Sequence, residues 1–511
     1  MPWWRDAVLY QIYPRSFQDS NGDGIGDLPG IVSRLDHLEW LGVDGIWLNP
    51  TMPSPNADWG YDVADYCDVH PDYGTLADLD RLVGEAGRRG IRVLLDLVPN
   101  HTSDRHPWFA ESRRSAASSK RDWYVWADRP NNWRSAFGGP AWTLDERTGQ
   151  YYLHNFLAEQ PDLNWWSQGV RDAFDDVLRF WFQRGIAGFR IDVAHAIVKD
   201  RQLRDDPPVI DSAHPVERRE KLARVHSMNR PETHDVLRRW RSLAERYDPP
   251  RLLLGETYVM DVRRLATYYG ADADELQLAF NFPFVHASLD PAELAPLVAE
   301  AESHLPESAW PVWTGSNHDA GRFATRWCRG DERLVRCALV LLLCLRGTAV
   351  LYYGDEIGLP QTPLRREDLR DPVGIRRWPE DEGRDGGRTP MHWSREEGAG
   401  FTAPGVRPWL PLGDVAACNV ADQRDDPGST LAFSRRLIAL RRELPELREG
   451  AYARVDAPHG VWAWTRGQTV GVALNLGRRR AKLPFRGRLL LSTAGDEAAL
   501  PPRSAAIVAL A

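Results

Sequence analysis

VRDAFDDVLRFWFQRGIAGFRIDV, residues 170–193, holds the repeating unit of the fold. Val170, Phe174, Val177, Leu178 and Trp181 recur at the spacing of one helix face, while Asp172, Asp175, Asp176 and Arg179 lie off it. Residues 188–193 then read as a short strand. The same alternation runs outward in both directions. Strand candidates fall at residues 8–17, 45–50, 93–98, 188–193, 252–257, 277–282, 311–314 and 349–353. Helical patterns lie between them, as at residues 31–41, where Ile31, Leu35, Leu38 and Leu41 keep helical spacing. Eight strand–helix units close a barrel, so the expected fold is α/β, a (β/α)8 TIM barrel.

Two stretches break the alternation. Residues 100–166 are polar, rich in Trp, Tyr and Gly, and too long for an ordinary loop. They read as a subdomain inserted after the third strand. After a helical run at 430–444, period-two patterns at 460–464 and 470–474 point to a small antiparallel β domain over residues 445–511. The barrel is thus expected over residues 1–99 and 167–444. Residues 384–387 and 425–428 read as loops from their Gly, Pro and Asp content.

Composition narrows the function classes. At 511 residues the chain is long enough for one large domain with smaller ones attached. Its formal net charge is −8 and no Lys/Arg block stands out, which argues against a nucleic-acid partner. The longest apolar run, residues 337–345, is far short of the ~20 residues that span a bilayer. The first residues lack the basic-then-apolar layout of a signal peptide. No membrane partner is expected, and the cytoplasm is the default location. Cys67, Cys328, Cys337, Cys344 and Cys418 are odd in number, follow no metal-ligand spacing and read as free thiols. The 22 tryptophans offer flat faces for sugar rings, although most tryptophans serve packing.

In such barrels the chemistry collects at the C-terminal ends of the strands. The third strand ends in Asp96, followed by Asn100 and His101; the fourth carries Arg190 and Asp192; the fifth ends at Glu256; the seventh runs into His318 and Asp319. Three acids (Asp192, Glu256 and Asp319), two histidines and an arginine are thereby directed to one rim. Any one strand-end acid is often only a cap or a salt-bridge partner, and Arg190 with Asp192 could form a structural ion pair. Four strand ends carrying such groups point instead to a site. Cleaving a glycoside with retention requires two carboxyls, one ionised and one protonated, and a third nearby helps keep the acid protonated.

The motifs DLVPNH at 96–101, GFRID at 188–192, GET at 255–257 and SNHD at 316–319 resemble those of the α-amylase superfamily of glycoside hydrolases. QPDLN at 160–164, GYD at 60–62 and RTPM at 388–391 are similar to its branch of α-glucosidases and oligo-1,6-glucosidases. The resemblance covers residue 7 to about residue 444. It implies a retaining, exo-acting enzyme that releases glucose from short α-glucosides, with no organic cofactor. Asp192 would be the nucleophile, Glu256 the acid/base, and Asp319 a binder of the 2- and 3-hydroxyls. Arg190 would orient Asp192, while His101 and His318 would hydrogen-bond the same sugar. Asp62 and Arg388 would close the pocket beyond it, and Phe156 would stack at the cleavage site. Asp96 and Asn100 read as structural. Within the same chemistry, a transglucosylase or glucoside isomerase is the alternative; a non-enzymatic relative with this barrel is a third reading, opposed by the presence of every acid.

Residues 19–27, DSNGDGIGD, place oxygen ligands at alternate positions with Gly24 at the sharp turn, like the first half of an EF-hand, but Gly30 stands at position twelve. The resemblance implies one structural Ca²⁺ or Mg²⁺ held by Asp19, Asn21, Asp23, the Ile25 carbonyl and Asp27. Two departures from the branch stand out. His392 follows RTPM where relatives commonly carry Gln, and Ala194-His195 follow Val193 where oligo-1,6-glucosidases tend to have Ile-Asn. In relatives, Val at position 193 tends to accompany α-1,6 activity and Thr α-1,4 preference. With Ala194-His195 beside it, the expected preference is for maltose over isomaltose.

Overall fold

The computed structural model describes residues 2–494 and 499–511. Eight parallel strands form one sheet: β1 (Val8–Ile12), β2 (Gly45–Leu48), β3 (Arg92–Leu97), β4 (Gly188–Ile191), β5 (Leu252–Gly255), β6 (Leu278–Ala279), β7 (Val312–Trp313) and β8 (Thr348–Tyr352). Their order is β7-β8-β1-β2-β3-β4-β5-β6, and a parallel bridge between Phe280 and Val312 joins the two edges into a barrel. All eight expected strands are present; β3 and β8 keep the expected length, shifted by one residue, and the other six are shorter than expected. β1 stops at Ile12 because Pro14 lacks an N–H and opens a 3₁₀ turn, Pro14–Ser16. β6 gives way to the helix Phe282–His286, whose cap Asn281 accepts from the Phe284 N–H at 3.1 Å.

Alternation along the strands sorts the side chains. Leu9, Trp47, Leu94, Leu252, Leu254, Leu278, Val312 and Val350 point inward and form the barrel's interior core. Val8, Tyr10, Leu95, Leu97, Phe189 and Ile191 point outward into the layer beneath the helices. The inward parity carries on past the strand ends, which places Asp96, Arg190, Asp192 and Glu256 above the apolar plug. Asp96 and Arg190 are register partners on β3 and β4.

The helix Gln168–Gln183 buries Val170, Phe174, Val177, Leu178 and Trp181 as its spacing requires. Asp175 is also buried, because Arg239 from the helix Thr233–Ala244 meets both its oxygens at 3.1 Å. The helix expected at 31–41 is two helices, Leu28–Ser33 and Leu35–Leu41. Arg34 leaves helical geometry between them, its guanidinium held by Gln18 at 2.6 Å and by the Gly400 carbonyl at 2.9 Å.

The segment after β3 contributes a three-stranded antiparallel sheet of Trp126–Ala127, Gln150–Leu153 and Trp142–Asp145. At the C-terminal end, five antiparallel strands form a sheet in the order Tyr452–Val455, Val461–Arg466, Val470–Asn475, Ser504–Leu510, Gly487–Ser492. Arg466 fastens this sheet to the barrel by donating to the Cys344 carbonyl at 2.8 Å. All five cysteines are free; Cys328, Cys337 and Cys344 are buried, Cys67 and Cys418 half-buried. Among the described residues no helix is long and apolar enough to cross a membrane.

Candidate active site

One guanidinium organises the rim. Arg190 donates through Nη1 to Asp96 Oδ1 at 2.8 Å and to Asp192 Oδ1 at 2.7 Å, and its Nη2 lies 2.8 Å from Glu256 Oε2. Glu256 Oε2 also accepts from the Val193 N–H at 2.8 Å. That contact has a conformational cost: Val193, a β-branched residue, is held at φ 36°, a region L side chains seldom adopt. The turn out of β4 thus fixes Glu256 on β5 relative to Asp192.

Burial pushes Asp96 up to about 7 and raises Asp192 well above the carboxylate range; Arg190 opposes both shifts, and the neighbouring acids add to them. One guanidinium thus serves three buried carboxyls, and burial favours the protonated forms of Asp96 and Asp192. Asp319 has the opposite environment. Burial alone would raise it, but His318, Arg384 and Arg388 outweigh burial and hold it far below the usual range. Arg384 and Arg388 each reach Asp319 Oδ1 at 3.0 Å. With 38% of its side chain exposed, Asp319 is the most open of the acids.

These groups surround a cavity of about 220 Å³. Of the residues expected from sequence, Asp192, Glu256, Asp319, His101 and Phe156 line it. Arg190, His318 and Arg388 stand behind that lining and hold it in place. His318 stacks on Tyr61 at 5.3 Å, with its Nε2 2.6 Å from the Tyr61 hydroxyl; Arg388 donates to the His318 carbonyl at 2.8 Å. His101 accepts at Nδ1 from Asn100 at 3.0 Å and donates from Nε2 to the Tyr61 carbonyl at 2.9 Å, and burial holds it neutral, lowered to about 4. Phe156 packs on Val193, Ala196 and Met228.

Asp62 is the exception. It does not line the cavity: its carboxylate accepts from Ser54 Oγ at 2.8 Å and from the Ala57 and Asp58 N–H groups at 2.9 Å. Asp58 lines the cavity instead, and its Oδ1 takes Arg384 Nη2, also in the lining, at 2.8 Å. Asp371 holds the same guanidinium at 2.7 Å. Positive φ at Trp59 (49°) and Gly60 (107°) reverses the chain between the two aspartates, so only Asp58 faces the site. Sequence reading missed Asp58, Arg384 and the platform residue Tyr61. The available signal was the charge in the Asp58–Asp62 segment and an arginine four residues before Arg388. His392 clamps a loop, its Nδ1 lying 2.9 Å from the Cys418 carbonyl and its Nε2 accepting from the Gly413 N–H at 3.2 Å.

The loop after β1 has the donor chemistry of a hard-cation site. Asp19 accepts from the N–H groups of Asn21, Gly22 and Gly24, Asn21 from Asp23, and Asp23 from Ile25, all at 2.7–3.0 Å. Asp27 caps the next helix through the Gly30 N–H at 2.6 Å. Both Asp19 oxygens already accept twice, Oδ2 taking Thr402 Oγ1 as well as the Gly24 N–H, and Asp27 Oδ2 takes both the N–H and the hydroxyl of Ser20. Among the described residues, Asp19, Asp23 and Asp27 do not form a gathered cluster of three acids. A cation here would compete with the loop's own N–H groups.

Comparison with known proteins agrees with this geometry. The family model "Alpha amylase, catalytic domain" matches residues 11–450. A probable alpha-glucosidase of Rhizobium meliloti (strain 1021) is 43% identical over 498 residues, covering 94% of this chain and 88% of that protein. An oligo-1,6-glucosidase of Parageobacillus thermoglucosidasius is 37% identical over 505 residues, covering 91% and 88%. Among solved structures, the alpha-glucosyl transfer enzyme XgtA superposes with a TM-score of 0.93 at 40% identity. The trehalulose synthase MutB from Pseudomonas mesoacidophila MX-45 does so with 0.91 at 31%; both alignments cover all of each chain. The chain therefore belongs to the alpha-amylase family and is a glycoside hydrolase of that family.

Proposed function

We propose that this enzyme is a retaining, exo-acting α-glucosidase that releases glucose from the non-reducing end of maltose and short α-glucosides. The observation that carries the reading is the pairing of Asp192 and Glu256 on one guanidinium, beside a cavity lined by Asp58 and Arg384. Two carboxyls bound to the two terminal nitrogens of one planar group are close neighbours, in keeping with the ~5–5.5 Å spacing of retaining glycosidases. In this scheme Asp192 attacks C1 while Glu256 gives a proton to the leaving oxygen. Water, activated by Glu256, then releases glucose. Asp319, kept ionised by Arg384 and Arg388, accepts from the 2- and 3-hydroxyls. His101 and His318 have both ring nitrogens engaged by the protein, so each serves the sugar chiefly by holding Tyr61 and Asp319 in place. The Asp58–Arg384 pair would bar a chain from continuing past a terminal glucose, which supports exo-action. Similarity to an alpha-glucosyl transfer enzyme and to a trehalulose synthase whose substrate is sucrose supports a second reading, transglucosylation or isomerisation by the same covalent step. Incubating the enzyme with maltose, isomaltose and sucrose and quantifying the products separates them: glucose in excess of any transfer product supports hydrolysis, whereas rearranged disaccharides from sucrose overturn it.

Linkage preference is testable at Val193. Threonine is also β-branched, so Val193→Thr leaves the strained φ unchanged and adds only a hydroxyl beside the second sugar. The wild type is expected to prefer maltose to isomaltose. The variant should move the kcat/KM ratio further towards maltose, by the factor of about 10 that one small pocket contact discriminates. A wild type that prefers isomaltose would overturn this choice of linkage.

We also propose that Asp19, Asn21, Asp23, the Ile25 carbonyl and Asp27 hold one structural Ca²⁺ or Mg²⁺. The ion would stabilise only the native state. Exhaustive chelation should therefore lower Tm by several degrees, and re-adding Ca²⁺ or Mg²⁺ should restore it. An unchanged Tm with no metal in elemental analysis would refute the site.

A further inference from the structure

Besides the Asp58–Arg384 pair, the cavity has a wall of different character. Arg224 lines it with only 6% of its surface exposed. Its Nη2 donates to Asn155 Oδ1 at 3.2 Å, and among the described residues it makes no ion pair. The acids around it are taken up elsewhere. Asp206 accepts from Ser227 Oγ at 2.5 Å and from the His226 N–H at 2.7 Å. Asp162 pairs with Lys199 at 2.9 Å. Glu217 accepts from Ser212 Oγ at 2.6 Å and from the backbone N–H of Arg224 at 2.9 Å. Burial lowers Arg224 to about 10 in spite of them.

Two histidines extend the same wall. His214 Nδ1 accepts from the Val216 N–H at 3.2 Å, and His195 Nδ1 accepts from the Tyr258 N–H at 3.2 Å. Burial keeps both rings neutral, at about 4 and about 3; the single ring proton of His214 is then on Nε2, while His195 Nδ1 also lies 3.4 Å from the Glu256 carbonyl. The wall thus offers donors from Arg224 and His214 and no carboxylate. The cavity beside it is lined by apolar Phe156, Val193 and Met228. A sugar hydroxyl donates as well as accepts, whereas a carboxylate or phosphate oxygen only accepts, and a guanidinium matches such an anion by shape and charge.

We propose that this wall receives an anionic group on the aglycone, so that the preferred substrates are α-glucosides of small acidic alcohols. The proposal rests on the α-glucosidase reading above and adds the chemical class of the leaving group. In the reaction the C1–O bond breaks, Glu256 gives its proton to the leaving oxygen, and water supplies OH to C1 and a proton back to Glu256. The products are glucose and the free acidic alcohol, whose anion is unchanged.

The test compares kcat/KM for matched pairs: α-glucosylglycerate with α-glucosylglycerol, and maltose phosphorylated on O6 of its reducing glucose with maltose. The anionic member of at least one pair should be favoured by about tenfold or more, the factor that a charge-assisted contact supplies. The pair with the larger ratio identifies carboxylate or phosphate. Arg224→Gln should bring that ratio close to one, and Arg224→Lys should restore part of it. Neutral members used as well as or better than the anionic ones by the wild type would overturn the proposal, whether or not the variants fold. A preference that survives Arg224→Gln would also overturn it. Hydrolysis of 4-nitrophenyl α-glucoside by the wild type tests the underlying α-glucosidase reading separately.

Discussion

Asp192→Asn is expected to lower kcat/KM for maltose by at least about 10⁴-fold, the scale on which removal of a covalent nucleophile acts. The amide cannot form the glycosyl ester, and no other carboxylate can take its place. Asp96 is fully buried behind Arg190, and Asp319 is tied to Arg384 and Arg388. The loss should not come from unfolding. Asn keeps the shape of the side chain and removes one of three buried carboxyls crowded on Arg190, so Tm should hold or rise, as often happens when a strained catalytic group is neutralised. Measuring kcat/KM and Tm on the same preparation checks both halves. Activity within about tenfold of wild type would remove Asp192 from the nucleophile's role.

Glu256→Gln should separate substrates by leaving group. For maltose, whose departing sugar hydroxyl needs a proton, kcat/KM is expected to fall by about 10²–10⁴-fold, the range of general acid catalysis. For 4-nitrophenyl α-glucoside, whose leaving group departs without protonation, kcat/KM should fall by no more than about tenfold, since it reports the first chemical step. The amide retains an oxygen able to accept from the Val193 N–H, so the turn after β4 stays in place. Equal losses on the two substrates would show that Glu256 positions groups rather than donating a proton.

The sequence made the barrel legible because buried parallel strands read as short apolar runs and the helices between them keep a clean 3.6 period, as in residues 170–183. It was less informative about strand ends. Those are decided by local events such as Pro14 opening a 3₁₀ turn or Asn281 capping a helix inside an expected strand. The acids on β4 and β5 were legible for a geometric reason: side-chain parity along a barrel strand continues onto the rim, so Arg190, Asp192 and Glu256 had to meet. The Asp58–Arg384 pair was not. Asp58 and Arg384 are 326 residues apart on loops without periodicity, and nothing in either segment announces the other. Asp62, four residues from Asp58, looked equivalent in sequence; the left-handed backbone at Trp59 and Gly60 turns it away. The sharing of Arg190 was equally hidden, because only the packed site brings three carboxyls to one guanidinium.

The central claim is that Asp192 and Glu256 act in two successive displacements at one carbon. The most direct measurement is the anomeric form of the glucose first released from maltose, followed by ¹H NMR before mutarotation scrambles it. Two inversions return the original configuration, so the account predicts α-glucose as the first product. β-Glucose would mean a single displacement by water, and the assignment of Asp192 as a nucleophile would fail with it.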